Sequence, residues 1–293
     1  MTPDLSTDLH VRRTGRPAGE APTLVFLHGL TDSGSGWPGA ERHWGEAYSI
    51  LTVDQRGHGS SPRFTPEQLA AHPGEVMVED AISLLEQLDA PPVVIGHSLG
   101  GAVALTVAVR RPELVRALVL EDPAPLGPDD PQHDPARGEE FLAGVRDSLA
   151  ARDEQDLVRL RREKHPDWAD DELLVSGVAE QQMDLDYLAH GDFKPSTRWP
   201  ALFARLGVPT LVVSGDATAE VCITGDLEQA IASIGNPHVR VVRIPGAGHC
   251  IRREQPDGFY AAVDAFLGRP RRVSGGRGCG HTPTGAARLP RWE

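Results

Sequence analysis

Hydrophobic residues along this chain fall into two rhythms. Short apolar runs stand at 9–13 (LHVRR), 23–27 (TLVFL), 49–54 (SILTVD), 92–96 (PVVIG), 117–122 (ALVLED), 210–215 (TLVVSG) and 239–244 (VRVVRI). Several are unbroken Val, Ile and Leu, the pattern of strands buried on both faces. Between them, 74–89, 99–111, 226–235 and 256–268 carry apolar residues at three- and four-residue spacing and read as helices. The alternation predicts an α/β fold: a mostly parallel central sheet flanked by helices.

The rhythm breaks over 124–200. Its opening stretch, APLGPDDPQHDPARGEE, is rich in proline and acid, and helical patterns follow with no strand between them. An inserted helical cap, or lid, over one end of the sheet fits this pattern. The division is then a core of 1–123 and 201–268, a cap of 124–200, and a tail of 269–293. That tail is rich in Gly, Pro and Arg without apolar periodicity, and it reads as disordered because it has too little to bury.

Charge narrows the partners. The formal net charge of −13 opposes a phosphate backbone, so no nucleic-acid partner is expected and a small-molecule substrate is. Nothing approaches the roughly 18 continuous apolar residues of a membrane span. The N-terminal MTPDLSTDLHVRR lacks the order of a signal peptide. A cytoplasmic protein with no membrane partner is the expectation; the sequence is silent on oligomeric state. Cys222, Cys250 and Cys279 are odd in number and widely spaced, so they read as reduced thiols with neither a disulfide framework nor a zinc motif.

Chemistry concentrates at VVIGHSLGG, 93–101. A strand that stops abruptly at Gly-His-Ser-Leu-Gly and passes straight into a helix has the form of a nucleophile elbow. Small residues two before and two after the serine let strand and helix approach, and Ser98 projects at the helix N-terminus. A serine hydroxyl needs a base, and the base needs a third group to fix its tautomer. His249, in a loop between the strand 239–244 and a helix, supplies the base. For the acid, Asp216 at the end of TLVVSGD suits the chain order Ser, Asp, His. Asp122 at the end of ALVLED is the alternative, with Asp226 and Glu220 as lesser candidates.

Four separated motifs, FLHGLTDSG (26–34), DQRGHGSS (54–61), GHSLGG (96–101) and GAGHCIRREQP (246–256), together resemble the α/β-hydrolase superfamily over roughly 5–268. One departure concerns the acid: the family's motif commonly reads Gly-x-x-Asp, whereas Asp216 directly follows Gly215. The resemblance implies an oxyanion hole from the backbone N–H groups of Leu30 and Leu99. It makes His28 and Gly29 loop-shaping residues beside a substrate pocket that Trp37 would help to line. Arg56 and His58 would tie loops together near the site. In the cap, Trp168, Met183, Leu185, Tyr187, Leu188, Phe193 and Trp199 form either an apolar ceiling or ordinary core.

The function implied is a serine hydrolase that cleaves an ester, thioester or lactone of a small, largely apolar substrate through an acyl-enzyme, with no metal and no organic cofactor. A carbon-carbon bond hydrolase or a cofactor-free perhydrolase would use the same triad, and a catalytically silent binding module the same fold.

Overall fold

The computed structural model describes residues 5, 7–125, 131, 133–196, 198–216 and 221–268. Seven strands form one sheet: β1 (Val11–Gly15), β2 (Thr23–Leu27), β3 (Ser49–Val53), β4 (Val93–His97), β5 (Ala117–Glu121), β6 (Thr210–Gly215) and β7 (Val239–Ile244). All seven apolar runs are strands, in the order β1-β3-β2-β4-β5-β6-β7, with only β1 antiparallel to its neighbour.

Among the described residues, eleven α-helices accompany them: α1 (Pro38–Trp44), α2 (Pro66–Ala70), α3 (Pro73–Leu85), α4 (Ser98–Arg110), α5 (Pro135–Ala150), α6 (Glu154–Lys164), α7 (Asp170–Gln181), α8 (Leu185–His190), α9 (Gly225–Ser233), α10 (Ile251–Glu254) and α11 (Pro256–Phe266). Helices α5 to α8 lie between β5 and β6, with no strand between these two among the described residues. The expected tail, 269–293, lies outside the described residues.

Period-two alternation sorts the strand side chains into two cores. Val25, Leu27, Leu51, Val53, Val94 and Leu120 pack on one face with α3 and α4. Leu24, Phe26, Ile50, Val93, Ile95 and Val119 pack on the other with α1 and α11. Helix α4 is buried continuously from Leu99 to Ala108, which explains why its sequence is apolar nearly all round.

This topology locates a site before any chemistry is considered. The chain leaves β2 toward α1 on one face and leaves β4 toward α4 on the other, although β2 and β4 are neighbours. Where adjacent parallel strands send their connections to opposite faces, a crevice opens outside their C-terminal ends. Leu30 and Ser98 stand at that crevice, just after β2 and β4.

Most of the apolar residues expected either to form a ceiling or to be core pack in a core cluster. Met183, Tyr187, Leu188, Phe193 and Trp199 belong to the buried cluster that includes Leu27, Val53 and Leu99, whereas Leu185 is exposed. Tyr187 packs on Phe64 at 4.6 Å between ring centroids, with the planes tilted by 34°. Asp184 accepts the Phe64 N–H at 2.9 Å and caps α8.

Candidate active site

Ser98 opens α4 with φ of +50°, a conformation unfavourable for a residue bearing a Cβ. The surrounding glycines are what permit it. A Cβ on Gly100 would lie 2.2 Å from the Leu27 carbonyl oxygen and 2.5 Å from that of His28; one on Gly96 would lie 2.5 Å from the Gly100 oxygen. The Gly100 N–H donates to the His28 carbonyl at 3.0 Å, so β2, the loop after it and the start of α4 are locked together.

The same elbow touches the histidine loop. His97, immediately before Ser98, shares a hydrogen bond at 3.1 Å between its Nε2 and the His249 carbonyl, and the two rings lie 4.8 Å apart. The Ala124 N–H donates to the Ser98 carbonyl at 3.0 Å, drawing in the segment after β5. Residues 98, 122 and 249 therefore gather at the C-terminal edge of β4 and β5. Because the His249 carbonyl can only accept, His97 Nε2 carries the proton, and its buried Nδ1 has no partner among the described residues. Burial, the largest influence, holds the His97 pKa well below the usual histidine value. It is a neutral donor that positions the loop.

The structure pairs His249 with Asp122: Nδ1 and Oδ2 are 2.6 Å apart. Asp216, the favoured acid from sequence, does something else. It is exposed, its Oδ1 accepts the Gly246 N–H at 2.7 Å, and its own N–H donates to the Ala247 carbonyl at 2.8 Å, so it braces the loop after β7. The physical reason lies at Gly215, where a Cβ would meet the carbonyl oxygens of Ala247 and Gly248 at 2.3 and 2.5 Å. The loop packs directly on that bare Cα and crosses the end of β6, which delivers the imidazole to β5. Of the lesser candidates, Asp226 lies in the first turn of α9 and Glu220 falls outside the described residues.

Asp122 is fully buried with φ of +35°, and its carboxylate is fixed by two further donors: Cys222 N–H to Oδ2 at 2.8 Å and Ile223 N–H to Oδ1 at 2.9 Å. Burial, the largest single influence on His249, pushes its pKa down. Hydrogen bonds to Asp122 and Cys222 outweigh it and hold the imidazole well above the usual value.

The loop after β2 is stiffened from behind. His28 is buried, with Nδ1 2.7 Å from the Gly29 carbonyl and Nε2 accepting the Gln55 N–H at 3.0 Å. With both nitrogens engaged it shapes the loop. Gly29 lies directly against the elbow, since a Cβ there would meet the His97 ring at 2.9 Å and Ser98 Cβ at 3.4 Å. His58 Nε2 is 2.5 Å from the Leu30 carbonyl; burial lowers its pKa to about 3, so it donates one proton as a neutral clamp. Arg56 pairs instead with Asp80 at 2.8 Å.

Trp37, expected to line the pocket, is fully buried behind this loop. Its ring packs 4.9 Å from that of Phe26, and the Arg252 guanidinium lies over it at 4.0 Å. Arg252 in turn binds Glu121 at 3.0 Å and Asp32 at 2.8 Å, while Arg253 binds Asp32 at 3.0 Å and Glu172 of α7 at 2.8 Å. This buried network joins β5, the loop after β2, α10 and α7. Sequence reasoning passed over it, because two adjacent arginines in the polar stretch IRREQ carry no sign of burial. Cys222 was passed over as well, because nothing local to it announces His249.

The sequence matches the alpha/beta hydrolase family over residues 24–262. It is 31% identical over 257 residues to the sn-1-specific diacylglycerol lipase ABHD11 of Mus musculus, covering 84% of this chain and 81% of that protein. A shorter stretch of 118 residues is 45% identical to Lipase LipV of Mycobacterium tuberculosis, covering 40% of this chain but only 42% of that one. Among solved structures, E-2-(acetamidomethylene)succinate hydrolase superposes with a TM-score of 0.74 at 20% identity, over 89% of this chain and 95% of the other.

Proposed function

Because the chain belongs to the alpha/beta hydrolase family, we propose that it is a serine hydrolase acting on an ester, thioester or lactone of a small, largely apolar substrate. Ser98 is the nucleophile, His249 the base and then the acid, and Asp122 the carboxylate that orients His249. The observation that carries this reading is the 2.6 Å contact of His249 Nδ1 with the buried Asp122. It fixes the Nδ1–H tautomer and leaves Nε2 as the basic nitrogen.

Ser98 Oγ attacks the substrate carbonyl while its proton passes to Nε2, and Asp122 stabilises the imidazolium that forms. The N–H groups of Leu30 and Leu99 receive the developing oxyanion. The N–H of Leu99 lies in the first turn of α4, where backbone donors have no acceptor within the helix. The imidazolium then protonates the leaving group, and water, deprotonated by the same nitrogen, hydrolyses the acyl-enzyme. Helices α5 to α8 serve as the lid, tied down through Glu172 and Arg253. The relatives named as lipases favour an ester.

A panel of p-nitrophenyl esters of increasing chain length, run beside lactones, thioesters and diketones, tests the reading. Turnover of short to medium esters that vanishes in Ser98→Ala supports it. Turnover confined to diketones, or surviving in Ser98→Ala, refutes it.

A further inference from the structure

We propose that Asp122, Cys222 and His249 form a chelating site for a soft divalent cation, Zn2+ being the natural occupant, and that occupancy switches the hydrolase off. One ligand atom from each residue lies within 4.8 Å of the other two. The Cys222 sulfur faces this cluster beside the His249 imidazole. Its backbone N–H is held on Asp122 Oδ2 and the next N–H on Oδ1, so the main chain of this segment is fixed where the thiol meets the ring. Asp122 is fully buried, whereas Cys222 and His249 are half-buried, which leaves a solvent approach to the sulfur and the ring.

The donor set is what singles this cluster out. Thiolate, imidazole and carboxylate together match the three-ligand zinc sites that keep a fourth position for water, and sulfur selects zinc or cadmium over magnesium or calcium. In a tetrahedral zinc site, Zn–S of about 2.3 Å and Zn–N of about 2.05 Å place sulfur and nitrogen about 3.6 Å apart. Since all three ligand atoms lie within 4.8 Å of one another, no separation has to close by more than about 1.2 Å, within reach of side-chain rotation. On binding, Cys222 releases its thiol proton to solvent, and two anionic ligands with one neutral imidazole balance the dication. No linear motif announces the site: the three residues come from the ends of β5 and β7 and the segment before α9.

Either mode of imidazole binding disables a base at Nε2. A cation on Nε2 occupies the basic lone pair. A cation on Nδ1 displaces the Asp122 hydrogen bond and forces the ring proton onto Nε2, which then has no lone pair to receive the serine proton. The site itself rests on the placement of donor atoms; only the inhibitory consequence rests on the proposed function.

The test uses the full, untagged chain titrated with ZnCl2, read by chelator competition, by the sulfur-to-metal absorption band of the Co2+ form, and by ester hydrolysis against free Zn2+. Cys250→Ser/Cys279→Ser serves as background, because it leaves Cys222 as the one thiol in the sequence. One Zn2+ per chain should bind with low-micromolar or tighter affinity, the Co2+ band should be present, and hydrolysis should fall in parallel and return with EDTA. Adding Cys222→Ser should abolish the band and weaken binding about 100-fold or more, since even groups outside the ligand shell cost 10–100-fold. Binding that survives Cys222→Ser, or no binding below millimolar Zn2+, overturns the site. Cys222-dependent binding that leaves hydrolysis untouched overturns the switch. Cys222-dependent binding in a chain that turns over no ester upholds the site while the functional reading fails.

Discussion

Replacing Asp122 by asparagine separates the two strand-end carboxylates most sharply, and its cost follows from the hydrogen bonds around it. Oδ2 accepts from His249 Nδ1 and from the Cys222 N–H, and Oδ1 accepts from the Ile223 N–H. An asparagine has one oxygen for these two sides. With its NH2 toward His249, it faces the Cys222 N–H donor to donor and demands the tautomer with the proton on Nε2, which cannot act as base. With its oxygen toward His249, the NH2 opposes the Ile223 N–H. Either way one buried backbone donor is left unpaired, at about 1–3 kcal/mol of stability. The wrong tautomer costs about 10^4 in kcat in the well-studied serine-protease case, so Asp122→Asn is expected to lose about 10^3 to 10^4. Asp216→Asn keeps an oxygen for the Gly246 N–H in an exposed position, and should change kcat by less than about threefold. Steady-state hydrolysis of a p-nitrophenyl ester, with urea midpoints to confirm folding, reads both. Equal losses in the two variants, or a larger loss in Asp216→Asn, would refute the assignment of the acid.

Two further outcomes follow from the same geometry. With the His249 pKa raised, kcat/KM should climb with pH and reach half its plateau above pH 6.5; a half-point at or below 6.5 contradicts the pairing. By the same linkage, the stability contributed by protonated His249 is fully present below pH 6.5 and fades as pH rises through the raised value, which urea midpoints of the parent and His249→Ala across that range would show. Gly100→Ala puts a Cβ against two backbone oxygens, so β2 and α4 must separate; about 1–3 kcal/mol of stability should be lost and activity with it, and an unchanged urea midpoint would show that the approach is not as tight as described.

The parts of the site that were readable in the sequence are those whose signal is local. The strand that stops at Gly96, the serine and the helix that starts at once are contiguous, so Ser98 needed no tertiary information. His249 likewise sits between a strand and a helix that each announce themselves. The acid was not readable in this way. Asp122 and Asp216 both end parallel strands, and the choice between them depends on how closely residues 247 and 248 pack on Gly215, a contact between segments 32 residues or more apart. Trp37 reads equally well as pocket or core, because what buries it is Arg252 from the far end of the chain. The pairing of Arg252 and Arg253 with Glu121, Asp32 and Glu172 leaves no periodic trace, and neither does the meeting of Cys222 with His249.

The central claim is that the elbow serine is activated by the Asp122-paired imidazole, and covalent labelling with a fluorophosphonate, read by intact mass and peptide mapping, tests it directly. A single adduct on the peptide containing Ser98, formed rapidly in the parent chain and at least about 10^3-fold more slowly in His249→Ala, is the predicted result. Labelling at another residue, or at Ser98 with a rate indifferent to His249, would contradict it.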